Sequence, residues 1–255
     1  QRRCGSFFDQ HIWKTILFFW IMGIMRYKFL IPILFSYFML ACDDHNQNKL
    51  PPAVPNDFVD IKKSIPEVIV DARYYTGENF VGRRIDGYIE NKCYLRKEAA
   101  LALKEAYLEI ASKNMTFKIF DCYRPQRAVD EFILWTKDIE DQSTKQLYYP
   151  NIEKSELLGP YIAAKSGHSR GNTIDLTIVI KQGDEFLDMD MGSSYDLFDP
   201  ISHTFSDLIK PEQQFNRELL KNVLEKYGFE YYELEWWHFS YKTDRDFEYL
   251  NFIVK

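Results

Sequence analysis

Ten consecutive residues, Ser166-Gly167-His168-Ser169-Arg170-Gly171-Asn172-Thr173-Ile174-Asp175, hold an imidazole and a carboxylate on either side of a glycine. On a straight strand those two side chains cannot meet. A turn at Gly171 folds His168 back toward Asp175 and offers one nitrogen and one oxygen to a borderline metal such as zinc. The third ligand comes from Glu235-Trp236-Trp237-His238, where an imidazole lies three residues from a carboxylate. Two His and one Asp leave the fourth zinc position to water, which separates a catalytic from a structural site. Zinc lowers the pKa of such a water to about 7, and an unligated carboxylate beside it can take the proton. Glu235 fits that role. Arg124 supplies a fixed positive charge where a carbonyl oxygen becomes an oxyanion. The chemistry these parts describe is metal-assisted hydrolysis of an amide.

Each part also has an ordinary reading. A single His beside a strand is commonly a hydrogen-bonded structural residue, and His238, between Trp237 and Phe239, reads as a core histidine. Arg124 at a helix start can simply pair with Asp121, and an exposed pair contributes little. Asp175 shifts the balance. A carboxylate between Ile174 and Leu176 is costly unless paired or metal-bound.

The elements that must position these groups follow from periodicity. Val68–Tyr74 and Thr116–Asp121 read as strands, Thr173–Ile180 as a strong strand and Trp236–Tyr241 as a late one. Residues 96–113 read as a helix with Ala99, Leu103, Ala106, Tyr107 and Ile110 on one face, ended by Asn114. Pro125 opens a second helix carrying Ala128, Phe132, Trp135 and Ile139, which sets Arg124 at a strand-to-helix corner. Residues 141–165 form a polar loop and 183–200 an acidic one. Pro211–Tyr227 is a third helix with Phe215, Leu219, Val223 and Tyr227 inward and Gly228 as its stop. Irregularly spaced strands among three helices favour an α+β fold.

Composition limits the function classes. The 255 residues are 46% hydrophobic and 16% aromatic, enough for one sizeable core. Their net charge of -6 disfavours a nucleic-acid binder. The charge is uneven: residues 1–41 hold Arg2, Arg3, Lys14, Arg26 and Lys28 against Asp9, a +4 that leaves -10 on residues 42–255. Within that segment the apolar runs Thr15–Met25 and Phe29–Ala41 flank Arg26-Tyr27-Lys28, and each is shorter than the roughly 20 residues of a spanning helix. The second ends at Met39-Leu40-Ala41-Cys42, the order of a signal peptide, with Met25 as an alternative start. It resembles a bacterial lipobox, so the chain is expected to be exported and lipid-anchored at Cys42, in the periplasm or cell envelope. Both runs joined into one membrane anchor is the competing reading. Residues 42–57, with Pro51, Pro52 and Pro55, suit a tether. Residues 58–255 would then be the catalytic domain. Cys93 and Cys122 form no CxxC pair, and whether they join in a disulfide stays open.

The ordered set Asp121-x-Tyr123-Arg124-Pro125, Ser166-x-His168-x-x-Gly171-x-x-x-Asp175 and Glu235-x-x-His238, with Met191-Gly192 and Ser202-His203-Thr204, resembles the zinc D-alanyl-D-alanine dipeptidases of the vancomycin-resistance type. The resemblance runs from about Val68 to Tyr241. It implies an α+β fold with a central antiparallel sheet carrying one catalytic zinc (Zn2+) and flanked by helices. It also implies that His168, Asp175 and His238 bind the metal, that Glu235 is general base and acid, and that Arg124 stabilises the tetrahedral intermediate. Ser166 would hold the substrate's carboxylate. Asp190, or Asp188 in a competing alignment, would pair with its free amino group. The lipobox-like segment departs from the resistance enzymes, which work in the cytosol. It points to cell-wall turnover or scavenging of a small D,D-dipeptide. Three rivals stand beside this reading: a carboxypeptidase or endopeptidase on longer peptidoglycan stems, a silent zinc-fold binding module, and a cysteine hydrolase using Cys122.

Overall fold

The computed structural model describes residues 52–255; the export segment 1–41, the lipobox-like Cys42 and most of the tether lie outside them. Among the described residues no helix is long and apolar enough to cross a membrane.

In chain order the elements are β1 (Phe58–Asp60), α1 (Ile61–Ser64), β2 (Ile69–Val70), β3 (Tyr94–Arg96), α2 (Lys97–Ala111), β4 (Met115–Asp121), α3 (Gln126–Lys137), α4 (Lys145–Tyr148), β5 (Thr173–Gln182), β6 (Glu185–Asp188), α5 (Pro211–Lys226), β7 (Phe229–Tyr232) and β8 (Glu235–Tyr241). Among the described residues β1 pairs only with β3, while the main sheet runs β2-β4-β5-β8-β7, with β6 also paired to β5. Every pairing of the main sheet is antiparallel except β2 with β4, so the sheet is mixed and the expected wholly antiparallel one is corrected. The cause is the connection. β2 reaches β4 through a long crossover containing α2, and crossovers of that kind join parallel neighbours.

Ten-residue β5 organises the rest. Its Ile174, Leu176 and Ile178 join Leu103, Ala106 and Ile110 of α2 and Leu220, Val223 and Leu224 of α5 in one buried cluster. Side chains alternate along a strand, so Asp175, Thr177 and Val179 face the other way. There a second cluster, built on Tyr74, Phe80, Phe132, Trp135 and Phe198, roofs the sheet with α3 and loops. The chemistry belongs to this second face.

Three elements differ from their sequence pattern. The strand expected over Val68–Tyr74 is only Ile69–Val70, followed by a 3-10 turn at Arg73–Tyr75. Asn91 bridges its end, donating to Val70 O at 2.9 Å and accepting from Ala72 N at 2.9 Å, which releases the chain from the sheet and turns Tyr74 inward. On α5 the buried face is Asn216, Arg217, Leu220, Val223 and Leu224, and the expected inward Phe215 is 65% exposed. Buried Arg217 explains the shift, because it donates to Met191 O at 2.6 Å, His203 O at 2.6 Å and Ile201 O at 3.0 Å. An arginine among carbonyl acceptors does not register as apolar periodicity. Ile139 likewise falls beyond the end of α3 and is exposed.

Candidate metal centre and substrate cavity

Strand register assembles the centre. Asp121 on β4 is opposite Asp175 on β5, and Asp175 is opposite His238 on β8. The three lie in one row across three strands, and paired positions project to the same side of a sheet. His168 joins from the 3-10 turn Gly167–Arg170, which Ser166 caps by accepting from His168 N at 3.3 Å. Gly171 ends that turn at φ 81°, and a Cβ there would lie 2.3 Å from the Phe58 ring. Only glycine meets both conditions. The fold of the loop expected at Gly171 is therefore present.

His168 Nε2 lies 3.3 Å from Asp175 Oδ1, His238 Nδ1 lies 3.0 Å from the same oxygen, and the two ring nitrogens are 3.2 Å apart. Ligands about 2.0–2.1 Å from a tetrahedral zinc are about 3.3 Å from one another, so these spacings match three corners around one ion. Asp175 Oδ1 is buried without a hydrogen-bond partner, a costly state that a cation at this point relieves. His168 Nδ1 lies 2.6 Å from the Cys122 carbonyl. A carbonyl only accepts, so Nδ1 carries the proton and Nε2 presents its lone pair inward.

A cavity of about 260 Å³ opens over this centre, lined among others by Tyr74, Arg124, Ser166, Asp196, Tyr232 and Glu235. It is smaller than the roughly 300–1,000 Å³ of pockets for drug-sized ligands. Glu235 and His238, three apart, would face opposite ways on a regular strand. The register slips opposite Tyr231 and Tyr232, and this irregularity brings Glu235 Oε2 to 3.6 Å from His238 Nδ1 without placing it among the three converging ligand atoms. Burial pushes the Glu235 carboxyl up to about 7.

Arg124 follows β4 at the corner before α3, its guanidinium 4.9 Å from the Tyr74 ring centroid and 5.3 Å from that of Phe132. Its Nε donates to buried Asp121 at 2.8 Å, and Nη2 stands 3.5 Å from Asp175 Oδ2. The pairing with Asp121 is real, and it fixes Arg124 at the cavity wall.

Asp190 and Asp188 are not brought to this cavity. Asp190 is exposed, accepting from Gly192 N at 2.9 Å and Gln213 Nε2 at 2.8 Å, while Asp188 pairs with Lys118 at 3.0 Å. Besides Asp175 and Glu235, the carboxylate that lines the cavity is Asp196, which is 4% exposed, sits at φ 61° and accepts from Tyr74 OH at 3.1 Å. The cost argument that singles out Asp175 applies equally to Asp196, between Tyr195 and Leu197. Arg124, the cavity's guanidinium, pairs with Asp121 and Asp175 and not with Asp196.

Cys93, just before β3, and Cys122, just after β4, form a disulfide with Cα atoms 5.3 Å apart. Cys122 therefore has no thiol to act as a nucleophile, which removes the cysteine-hydrolase reading.

The profile of the D-Ala-D-Ala dipeptidase family matches residues 55–255. A D-alanyl-D-alanine dipeptidase of Enterococcus faecalis is 40% identical over 72% of this chain and 91% of its own length. One of Streptomyces coelicolor is 38% identical over 74% of this chain and 93% of its own. One of Escherichia coli is 29% identical over 72% and 84%. With most of each relative covered and the family profile spanning the whole described domain, the chain belongs to the D-Ala-D-Ala dipeptidase family.

Proposed function

We propose that this protein is a zinc dipeptidase that hydrolyses D-alanyl-D-alanine to two molecules of D-alanine. The observation that carries the reading is the convergence of His168, Asp175 and His238 on one point, beside the non-ligating carboxylate Glu235 in a small cavity. Those three residues would hold one Zn2+ per chain. When bound, zinc polarises the scissile carbonyl and acidifies water near neutral pH. Glu235 takes the proton of the attacking water and delivers it to the leaving nitrogen as the amide C–N bond breaks. Arg124 meets the charge gathering on the carbonyl oxygen. Ser166, whose hydroxyl proton is not used in capping the 167–170 turn, donates to the substrate's carboxylate. Asp196 replaces Asp190 as the group that receives the substrate's ammonium, the cationic partner it lacks.

A carboxylate reader and an ammonium reader in one small cavity favour a free dipeptide over longer stem peptides. A silent binding module would need neither Glu235 nor Arg124 at the cavity wall. The test is a panel of D-Ala-D-Ala, its N-acetyl derivative and stem peptides, each with and without a chelator. We expect rapid cleavage of the free dipeptide alone, lost with the chelator and restored by zinc. Faster cleavage of stem peptides would replace this reading with a carboxypeptidase, and zinc binding with no cleavage of any substrate would replace it with the binding module. Asp196→Asn, which tolerates the left-handed backbone, should raise KM for the dipeptide roughly 10-fold or more, the worth of a hydrogen bond to a charge. Asp190→Asn should leave KM within about twofold of wild type. The opposite pattern would restore Asp190.

We further propose that the chain is exported and lipid-anchored at Cys42, acting in cell-wall turnover or dipeptide scavenging. The supports are the Met39-Leu40-Ala41-Cys42 boundary and a disulfide, which persists in oxidising compartments. Cys42→Ser should move the protein from the membrane to the soluble fraction; an unchanged membrane fraction would refute the lipid anchor.

A further inference from the structure

The two phenols that join Asp175 to Asp196, Tyr195 and Tyr74, have no role in the mechanism above. Asp175 presents Oδ1 to the two imidazoles and turns Oδ2 to the Tyr195 hydroxyl at 3.1 Å. That hydroxyl is 3.2 Å from Tyr74 OH, which lies 3.2 and 3.1 Å from the two carboxylate oxygens of Asp196. All four side chains are buried, at 2% exposure for Asp175, 6% for Tyr195, 1% for Tyr74 and 4% for Asp196. The Tyr195 ring is itself fixed, stacked on Phe120 at 4.6 Å between centroids and edge-on to Trp237 at 5.3 Å.

We infer that Tyr195 is a positioning residue that couples recognition of the substrate's amino group at Asp196, through Tyr74, to the metal ligand Asp175. The inference rests on the metal reading above and adds a link between two ends of the site.

The physical step is a competition for one proton. Tyr195 has a single hydroxyl hydrogen and two acceptors, the Tyr74 oxygen and Asp175 Oδ2. When Tyr74 donates strongly to a bare Asp196 carboxylate, its oxygen becomes the better acceptor, because bonds in a chain polarise one another. The Tyr195 hydrogen then serves Tyr74. An ammonium on Asp196 weakens the pull on Tyr74 and returns the hydrogen to Asp175 Oδ2. No covalent bond changes, and each oxygen keeps its own hydrogen. Asp175 is thus held with Oδ1 toward the metal most firmly when a substrate with a free amine is in place. A hydrogen bond to a ligating carboxylate fixes its orientation in the same way that the Cys122 carbonyl fixes His168.

The test uses zinc-loaded full-length protein and a competing chelator, read as the zinc dissociation constant. Tyr195→Phe keeps the ring packing and removes only the hydroxyl; with methylammonium present to occupy Asp196 it should weaken zinc retention by roughly 10-fold or more, and by less without it, with no large loss of melting temperature. Asp196→Asn is then combined with it. If the relay exists, the zinc constant of the double variant departs from the product of the two single effects by at least about twofold, since residues within one hydrogen-bond network couple. A field effect of Asp196 acting through space is the same in both backgrounds and gives simple multiplication. Tyr74→Phe breaks the chain at its other phenol and should abolish the same coupling, which keeps the test decisive if Tyr195→Phe folds poorly. Multiplicative effects in both series, or unchanged zinc affinity in Tyr195→Phe, would overturn the relay while leaving the zinc centre standing. A wild-type chain that holds no zinc would overturn the metal reading and this inference with it.

Discussion

Replacing Glu235 by Gln is expected to slow turnover of the dipeptide by about 10²- to 10⁴-fold, the range of a positioned acid–base group. Gln has the same shape and can still accept a hydrogen bond, but it cannot take a proton. Glu235 lies outside the converging His168, Asp175 and His238 atoms, so the variant should bind zinc with wild-type stoichiometry. Stability should not suffer either. Burial pushes the Glu235 carboxyl up to about 7, which means the fold disfavours its charge, and a neutral amide avoids that cost. Three measurements separate the outcomes: turnover number, metal content and melting temperature. Activity within about tenfold of wild type would remove Glu235 from the proton-transfer role. A loss accompanied by loss of zinc would make it a ligand instead.

The candidate metal centre was more legible in the sequence than the fold around it. Asp175 stood out because a carboxylate between the apolar Ile174 and Leu176 is expensive, and the Gly171 turn followed from residue type alone. What set the final geometry was register, which no local pattern encodes: Asp121, Asp175 and His238 meet because three strands from distant parts of the chain pair residue against residue. The short strands β1, β3 and β7 escaped notice because three or four residues carry too little alternation to read. β6 was hidden for a different reason. All four of its residues are exposed, so the hairpin turning at Gly183 looks like an acidic loop.

Asp190 is the instructive case. The reading weighed only the acids before Met191-Gly192, Asp190 and Asp188, yet five residues beyond Asp190 the chain passes from a solvent-facing carboxylate to the buried Asp196. Arg217 makes the difference. By collecting the carbonyls of Met191, Ile201 and His203 it folds the 191–203 segment back on itself, and Asp196 is carried inward against Tyr74. A buried cation organising a loop from a neighbouring helix leaves no trace in hydrophobic periodicity. The same arginine displaced the reading of the α5 face, so one unseen interaction produced both misses.

Arg124→Lys is expected to lower kcat by about 10²- to 10³-fold, the effect of removing one donor that acts on the developing oxyanion, with KM nearly unchanged. Lysine retains the charge and loses the fork. In the native chain Nε is committed to Asp121 at 2.8 Å, while the η nitrogens extend along the cavity wall toward the metal centre. A guanidinium serves both at once, and a single ammonium must choose. Asp121 is the stronger claimant, since its side chain is 1% exposed and a buried carboxylate stripped of its partner costs about 3–5 kcal/mol. The lysine is therefore expected to stay with Asp121, preserving the melting temperature and leaving the carbonyl oxygen unserved. Arg124→Ala could not distinguish these roles, because it would orphan Asp121 and unsettle the neighbouring ligands together. The split between kcat and KM carries the decision. A rise in KM with kcat intact would make Arg124 a binder of the substrate's ground state, and a fall in stability with proportionate loss of active protein would reduce it to the partner of Asp121.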